Sequence, residues 1–392
     1  MSAADITARL CASISRLDAW LESHDYAAYD PFDGLGAWVR PLAVTRFARQ
    51  VLQQGVRRFP WNLRPVLGIR PATSTKAVGY LARAYLRLYR LRGDLRDLGA
   101  AEGCLEWLLE NASPGYSGLC WGNHFDYQSR VFYLPQGEPT VVWTALIAHA
   151  FLDAWEVTGR QEYLDAATNV AAFILIDLER RPEGDGVCIS YIPSAYRCVH
   201  NASMLAAGAL ARTAAAGGDR SLLDVAAPAV AYTVGCQHAD GSWWYGEAEN
   251  LHWVDNFHTG YVLDSLWHYM RASGDESHRE AYERGAGFLV DHFFLEDGTP
   301  RYYRDRTWPV DIQCAAQAVE SLVVMTGALG DPGALALAEK VAVWTIENMQ
   351  DADGYFYFQR WPFIVNRTPM LHWGQATMLH ALTVLLEKES DT

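Results

Sequence analysis

Lysine is scarce in this chain: only Lys76, Lys340 and Lys388 occur among 392 residues, so arginine is the default cation. Lysine and arginine together number 32 against 46 acidic residues, a formal charge of −14. A balance of that sign argues against nucleic acid or an anionic membrane surface as the main partner. Cysteine is sparse and unpatterned: the seven residues (11, 104, 120, 188, 198, 236 and 314) include no C-x-x-C pair. Buried free thiols in a reducing, cytoplasmic compartment are the expectation. No uninterrupted apolar run approaches the roughly 18 residues of a membrane span. The N-terminal segment, broken by Asp5, Arg9, Arg16 and Asp18, lacks the basic start, apolar stretch and cleavage site of a signal peptide.

Hydrophobic residues are plentiful at 50%, and 15 Trp and 20 Tyr stand out. A repeat organises them. Apolar helices begin near Thr73, Thr140, His200, Phe257, Ile312 and His372, about 60 residues apart, the signature of a repeat architecture. Each is followed by a Gly-containing turn (LRGDLRD, VTGRQEY, AAGGDRS, ASGDESH, ALGDPGA) and a second helix that keeps a polar stripe. Gly suits the end of the first helix, and the following Asp or Ser the start of the second. The second helices run near 95–111, 161–179, 219–236, 277–294 and 333–349, and the N-terminal helix 3–22 supplies a sixth. First helices such as TVVWTALIAHAFL are apolar nearly all round, as inner helices packed on every side must be. The spacing predicts an all-α (α/α)6 toroid over 1–392 with short β-hairpins in the loops at one mouth; an open helical solenoid is the alternative. Residues 24–72, rich in Pro, Gly and aromatics, read as an irregular crossover that can pack across a mouth.

The long loops (112–139, 181–199, 237–256, 295–310 and 350–371) would gather at that mouth. They are 27% of the chain yet hold 16 of its 35 Trp and Tyr residues. Aromatic-lined clefts stack sugar rings, so these loops point to a ligand site. Asp-Gly followed by aromatics recurs in QHADGSWWYGE, LEDGTPRYY and QDADGYFYFQR, which makes Asp240, Asp297 and Asp353 turn formers rather than acids.

Polar residues at inner-helix starts are better chemical candidates, because helix N-termini aim free N–H groups at the mouth. HWVDNFHTG sets Asp255, Asn256 and His258 there, more than one N-cap requires. NHFDYQSR alternates His124, Asp126, Gln128 and Arg130 on one face of an extended segment, either a solvated edge or a sugar-binding array. Further candidates are Tyr191, Tyr196, His200 and Asn201, then Asp311 and Gln313, then Arg367, His372 and Trp373. Trp243, Trp244, Tyr302, Tyr303, Tyr357 and Trp361 would contact sugar faces, and Arg360 a carboxylate or phosphate. A zinc site from Asp255 or His258 with Cys314 and His372 lacks any local ligand spacing, and no metal or other cofactor is expected.

The repeat, with DNFHTG (255–260) and LHWGQATMLHAL (371–382), resembles the six-hairpin glycosidase-like superfamily. YDPFDGL (29–35) and NLRPVLGI (62–69) are similar to poorly characterised members associated with surface-polysaccharide synthesis. The Q-x-x-D-G-x-W/F pattern also resembles triterpene cyclases, but their Asp-x-Asp-Asp acid motif is absent. The resemblance implies an oligosaccharide or glycoconjugate partner. It does not imply one reaction; the leading expectation is a hydrolase, with Asp255 as acid and Asp126, Glu247 or Asp311 as the second carboxylate. The alternatives are an epimerase or lyase, in which Tyr191, Tyr196, Tyr302 or His258 moves a proton beside a uronate, and a non-catalytic glycan-binding protein of a polysaccharide-assembly system.

Overall fold

A computed structural model describes residues 3–129 and 132–390. In chain order the helices are α1 (Ala3–Ser23), α2 (Arg46–Arg58), α3 (Thr75–Arg92), α4 (Leu95–Glu110), α5 (Val141–Thr158), α6 (Gln161–Ala172) and α7 (His200–Gly217). They continue with α8 (Leu223–Gly235), α9 (Asn256–Ser273), α10 (Arg279–His292), α11 (Ile312–Leu329), α12 (Pro332–Met349) and α13 (Ala376–Ser390). Helices α3, α5, α7, α9, α11 and α13 pack each on the next, and α13 returns to α3, so the inner six close a ring. The outer six are α4, α6, α8, α10, α12 and α1, the last covering α13 and meeting α12. The expected toroid is present and the open solenoid is not.

Local chemistry sets these hairpins. α3, α5, α7, α9 and α11 each end on a left-handed glycine. Asp94 and Asp331 then cap α4 and α12 through side-chain oxygens, each worth about 1 kcal/mol. α11 is long and apolar enough to cross a membrane, but 78% of it is buried as a ring helix.

The mouth loops are fastened to the outer helices by backbone contact at glycine. A Cβ on Gly241 would lie 2.3 Å from the Arg284 carbonyl oxygen of α10, and one on Gly354 would lie 2.3 Å from that of Arg16 in α1. Both have left-handed φ angles, 89° and 107°. Gln237 donates to the carbonyls of Gly241 and Ala281, at 3.0 and 2.8 Å. Gln350 repeats this to Gly354 and Ser13, at 2.8 and 3.1 Å. The Q-x-x-D-G pattern is therefore a loop-to-helix seam. Asp240 and Asp297 hold their turns through Ser242 and Thr299. At the third turn Asp351 does so, accepting from the Asp353 N–H.

The strands are short: β1 (Tyr127–Gln128) with β2 (Tyr133–Leu134), β3 (Arg180–Glu183) with β4 (Gly186–Ile189), and β5 (Val310–Asp311), β6 (Gln359–Arg360) and β7 (Val365–Asn366) in one antiparallel sheet. The β3–β4 hairpin and the turn after it bring Cys188 and Cys198 to a Cα separation of 5.8 Å, and they form a disulfide. This corrects the expectation of seven free thiols: five are free. It also removes the free-thiol basis for expecting a reducing compartment. The crossover is less irregular than expected, since it contains α2 and a small core of its own from Ala37, Val56 and Ile69.

Two to three turns along the inner helices from the mouth, charged side chains of different ring helices meet. Asp153 accepts from Arg83 and Arg212, both at 2.8 Å, and Glu320 pairs with His380 at 2.9 Å. Gln317 and Ser321 each donate to Asp264 at 2.8 Å. Burial, with Glu320 nearby, raises the Asp264 pKa.

Gly354→Ala should cost about 2–4 kcal/mol by denaturant titration, because the methyl group meets the α1 backbone at the seam that closes the ring. An unchanged midpoint would contradict the close approach. Thiol titration of the unfolded, unreduced chain should find five reactive cysteines, and all seven after reduction.

Candidate functional site

A cavity of about 1020 Å³ opens inside the mouth. Its centre is built at the N-terminus of α9. Asp255 caps that helix, with Oδ1 accepting the His258 N–H at 3.0 Å. Oδ2 accepts from Trp253 Nε1 at 3.1 Å and from His258 Nδ1 at 2.7 Å. The cap thus also orients an imidazole, leaving Nε2 as the nitrogen for the cavity that His258 lines. Tyr245 stacks on Trp253 with centroids 4.5 Å apart and lies 4.6 Å from the His258 ring.

Lys76, the second residue of α3, shares Tyr261 as a neighbour with His258. Its Nζ donates to the Tyr261 hydroxyl at 3.2 Å, and the Trp143 ring centre is 5.1 Å away. Burial, partly offset by Asp30 and Glu320, brings its pKa down to about 8. The His258 and Tyr261 ring centres are 6.5 Å apart. A hydrogen-bonded imidazole and a buried ammonium therefore flank one phenol. Burial raises the pKa of Tyr261, as it does for Tyr191, Tyr245 and Tyr302.

The charges facing the cavity reverse those of the chain. Arg57, Arg58, Lys76, Arg197 and Arg306 line it against two carboxylates, Glu183 and Glu247. Glu247 accepts a contact from His200 at 2.9 Å, which keeps its pKa low. Glu183 accepts from the Tyr196 hydroxyl at 3.0 Å.

Of the residues expected from sequence, Gln128, Tyr191, Tyr196, Asn201, Glu247, His258, Tyr302, Tyr303, Trp361 and Trp373 line the cavity. Asp255 stands behind His258, and His200 behind Glu247. Asp311 also stands behind the wall, accepting from Gln359 at 2.7 Å and Trp373 at 2.8 Å; its burial raises its pKa. Gln313 reaches the site only through the Tyr261 hydroxyl, at 3.2 Å. Asn256 is buried beneath the helix start. His372 is paired with Asp30, and its ring centre lies 5.2 Å from that of Trp143.

Other expected residues do not reach the cavity wall. Asp126 is paired with Arg40 at 2.6 Å, and it accepts the Gln136 N–H at 2.9 Å. Alternation along 123–130 did not distinguish the inner from the outer face. His124 packs edge-on against Phe125, and burial lowers its pKa. Trp243 presses on Gly285 of α10, and Trp244 stacks on His252. Tyr357 donates to Asp351, Arg360 to the Asn348 carbonyl, and Arg367 stands over Tyr357. Arg130 lies outside the described residues. Among the described residues, Asp255, His258, Cys314 and His372 do not bring three ligand atoms together. His200, Cys236 and Glu247 have ligand atoms within 4.8 Å of one another.

Lys76, Arg57, Arg58, Trp143, Tyr245, Trp253, Tyr261 and Glu183 join the wall without having been singled out. Lys76 carried a signal, being one of three lysines and sitting at an inner-helix start. Arg57 and Arg58 come from α2, which the irregular reading of the crossover hid.

No family model and no curated protein matches the chain. Solved structures do. A glycoside hydrolase family 76 mannosidase from Bacteroides thetaiotaomicron superposes with a TM-score of 0.65 at 10% identity, over 98% of this chain and 100% of that one. Cellobiose 2-epimerase from Bacillus thermoamylovorans gives 0.62 at 15% identity, covering 83% of this chain and 90% of that one. A polysaccharide lyase gives 0.56 at 12%, covering 79% and 89%. This chain has the six-hairpin (α/α)6 fold. At these identities the likeness is one of fold, and that fold hosts several chemistries.

The buried ammonium gives this six-hairpin ring a pH signature. Between pH 8 and 10.5 the unfolded lysine holds a proton that folded Lys76 has lost, so wild-type stability rises with pH across that window. Lys76→Met should therefore be more stable than wild type by about 1–3 kcal/mol at pH 7, with the gap narrowing toward pH 10.5. Thermal melts at several pH values check this; a destabilised variant at pH 7 would refute the charge-burial account.

Proposed function

We propose that this protein is a glycan-active enzyme that moves a proton at the carbon next to the carboxylate of a uronate-containing saccharide, as an epimerase. The observation that carries this reading is the imidazole of His258, held by Asp255 and facing a cavity with more cations than carboxylates. A C–H beside an ionised carboxylate is a weak acid, because abstraction places further negative charge on that group. Cations that neutralise the carboxylate lower this barrier. Arg57 and Lys76 are the groups assigned to it. His258 Nε2 takes the proton, and the electron pair moves into the carboxylate to give an enediolate. A buried phenol, assigned to Tyr191 or Tyr302, returns a proton to the opposite face, and exchange with water then deprotonates the imidazolium and reprotonates the phenolate. Aromatic rings on the wall stack sugar faces.

The fold's solved members include proteins named as a sugar epimerase, a cellobiose 2-epimerase and a polysaccharide lyase, which supports a proton-transfer reading. Hydrolysis is the second reading. Glu183 and Glu247 both line the cavity, and the mannosidase matches over 98% of the chain. It is less favoured because Asp255 and Asp311 are already engaged as helix caps with further hydrogen bonds, and Asp126 is paired with Arg40.

In heavy water, incubation with uronate oligosaccharides should put deuterium at the carbon beside the carboxylate without chain cleavage. His258→Gln should slow this about 10²–10⁴-fold. Asp255→Asn should slow it less, since the imidazole keeps a neighbour but loses its charge partner. The rate should decline as pH rises through about 8 and Lys76 loses its proton. New ultraviolet absorbance would assign a lyase, new reducing ends a hydrolase, and saccharide binding without any turnover a binding protein.

A further inference from the structure

Eight of the fourteen large apolar side chains exposed among the described residues lie between Trp38 and Val66, on the crossover above the cavity. Phe363 and Ile364, at the β6–β7 turn, are exposed beside them, and Asn366 of β7 donates to the Phe59 carbonyl at 3.0 Å. Trp38 and Val66 are joined by an indole N–H to carbonyl bond of 3.2 Å, and the Phe59 and Trp61 rings meet at 5.5 Å. The exposed groups therefore belong to one connected cap.

Helix α2 is oriented unlike an ordinary surface helix, whose outward face is polar. Gln50, Gln54 and Arg57 line the cavity, and Gln53 donates to the Gln128 carbonyl. Phe47 and Val51, one turn apart, point outward and are 75% and 55% exposed; Val44, just before the helix, is 77% exposed. The glutamines of α2 turn inward while Phe47 and Val51 face solvent.

The charge of this segment is equally unlike the rest. Residues 37–72 contain seven arginines (40, 46, 49, 57, 58, 64 and 70) and no lysine, aspartate or glutamate, in a chain whose total is −14. Arg64 is consumed by buried Asp33, and Arg40 by Asp126. Arg46 and Arg70 are exposed, and Arg58 is exposed where it also lines the cavity. Outward apolar groups, exposed indoles and arginines without acids are the chemistry of an interfacial anchor for an anionic bilayer.

We propose that the cap docks on a membrane containing anionic lipid, with α2 in the headgroup plane and the cavity mouth turned toward the bilayer. The net charge argues against such a surface for the molecule as a whole but not for this face. Docking is independent of the reaction class, so it is tested without turnover.

The full chain is sedimented with vesicles of phosphatidylcholine alone and of phosphatidylcholine mixed with phosphatidylglycerol. Binding is expected to the mixed vesicles and to weaken as salt is raised. Phe47→Asp combined with Val51→Asp should lower partition at least about tenfold while leaving the thermal melt and saccharide binding unchanged. Trp38→Ser with Trp61→Ser is the second variant and should also weaken binding, which keeps the test decisive if the first pair disturbs the cap. No sedimentation with the mixed vesicles, or equal sedimentation of both variant pairs and wild type, overturns the proposal. So does a lipid-free dimer dissolved by Phe47→Asp, which would assign the face to a second copy of the chain.

Discussion

The molecule depends on how closely a mouth loop can approach an outer helix. Where Gly241 and Gly354 sit, backbone touches backbone, and even a methyl group does not fit. Such contact fixes each loop relative to its hairpin and leaves the aromatic residues after the glycine no choice but to turn toward the ring or its rim. At Gly354 the same contact joins the last loop to the first helix, so local turn geometry and ring closure are one constraint. A loop held this firmly can present side chains at fixed separations, which a catalytic wall requires.

The centre of the cavity gives a structural device a second use. Asp255 is an N-cap, a role any aspartate can fill at the start of a helix. Its second oxygen and the i+3 position of His258 convert that cap into a rigid acceptor for an imidazole. A cap that is also a positioning group cannot readily be a proton donor, since both oxygens already accept hydrogen bonds. This redistributes the roles expected from sequence, with His258 at the cavity surface and Asp255 behind it.

The repeat made the ring legible, because a 60-residue period of apolar and striped helices has few other solutions. Helix starts were readable to within a few residues for the same reason. DNFHTG was legible as a site because its polar residues are local and exceed capping needs. Asp126 and Arg360 were not separable from true wall residues, since alternation says which residues share a face but not which way the face turns. The rarity and position of Lys76 were visible, but its setting was not, because Tyr261 and Trp143 lie 185 and 67 positions away in sequence. The Cys188–Cys198 bond was equally hidden, because a ten-residue separation gives no sign of the hairpin that closes it.

The charged network between the inner helices has one more consequence. Arg83 of α3, Asp153 of α5 and Arg212 of α7 meet one another, as do Glu320 of α11 and His380 of α13, and Arg83 also reaches Glu320. These groups come from five different ring helices, so their pairing exists only when the ring is closed. A buried charge that loses its partner costs several kcal/mol. An arrangement with one helix out of place would strand charges that the closed ring satisfies, so the network selects closure over the open alternatives that apolar packing alone would tolerate.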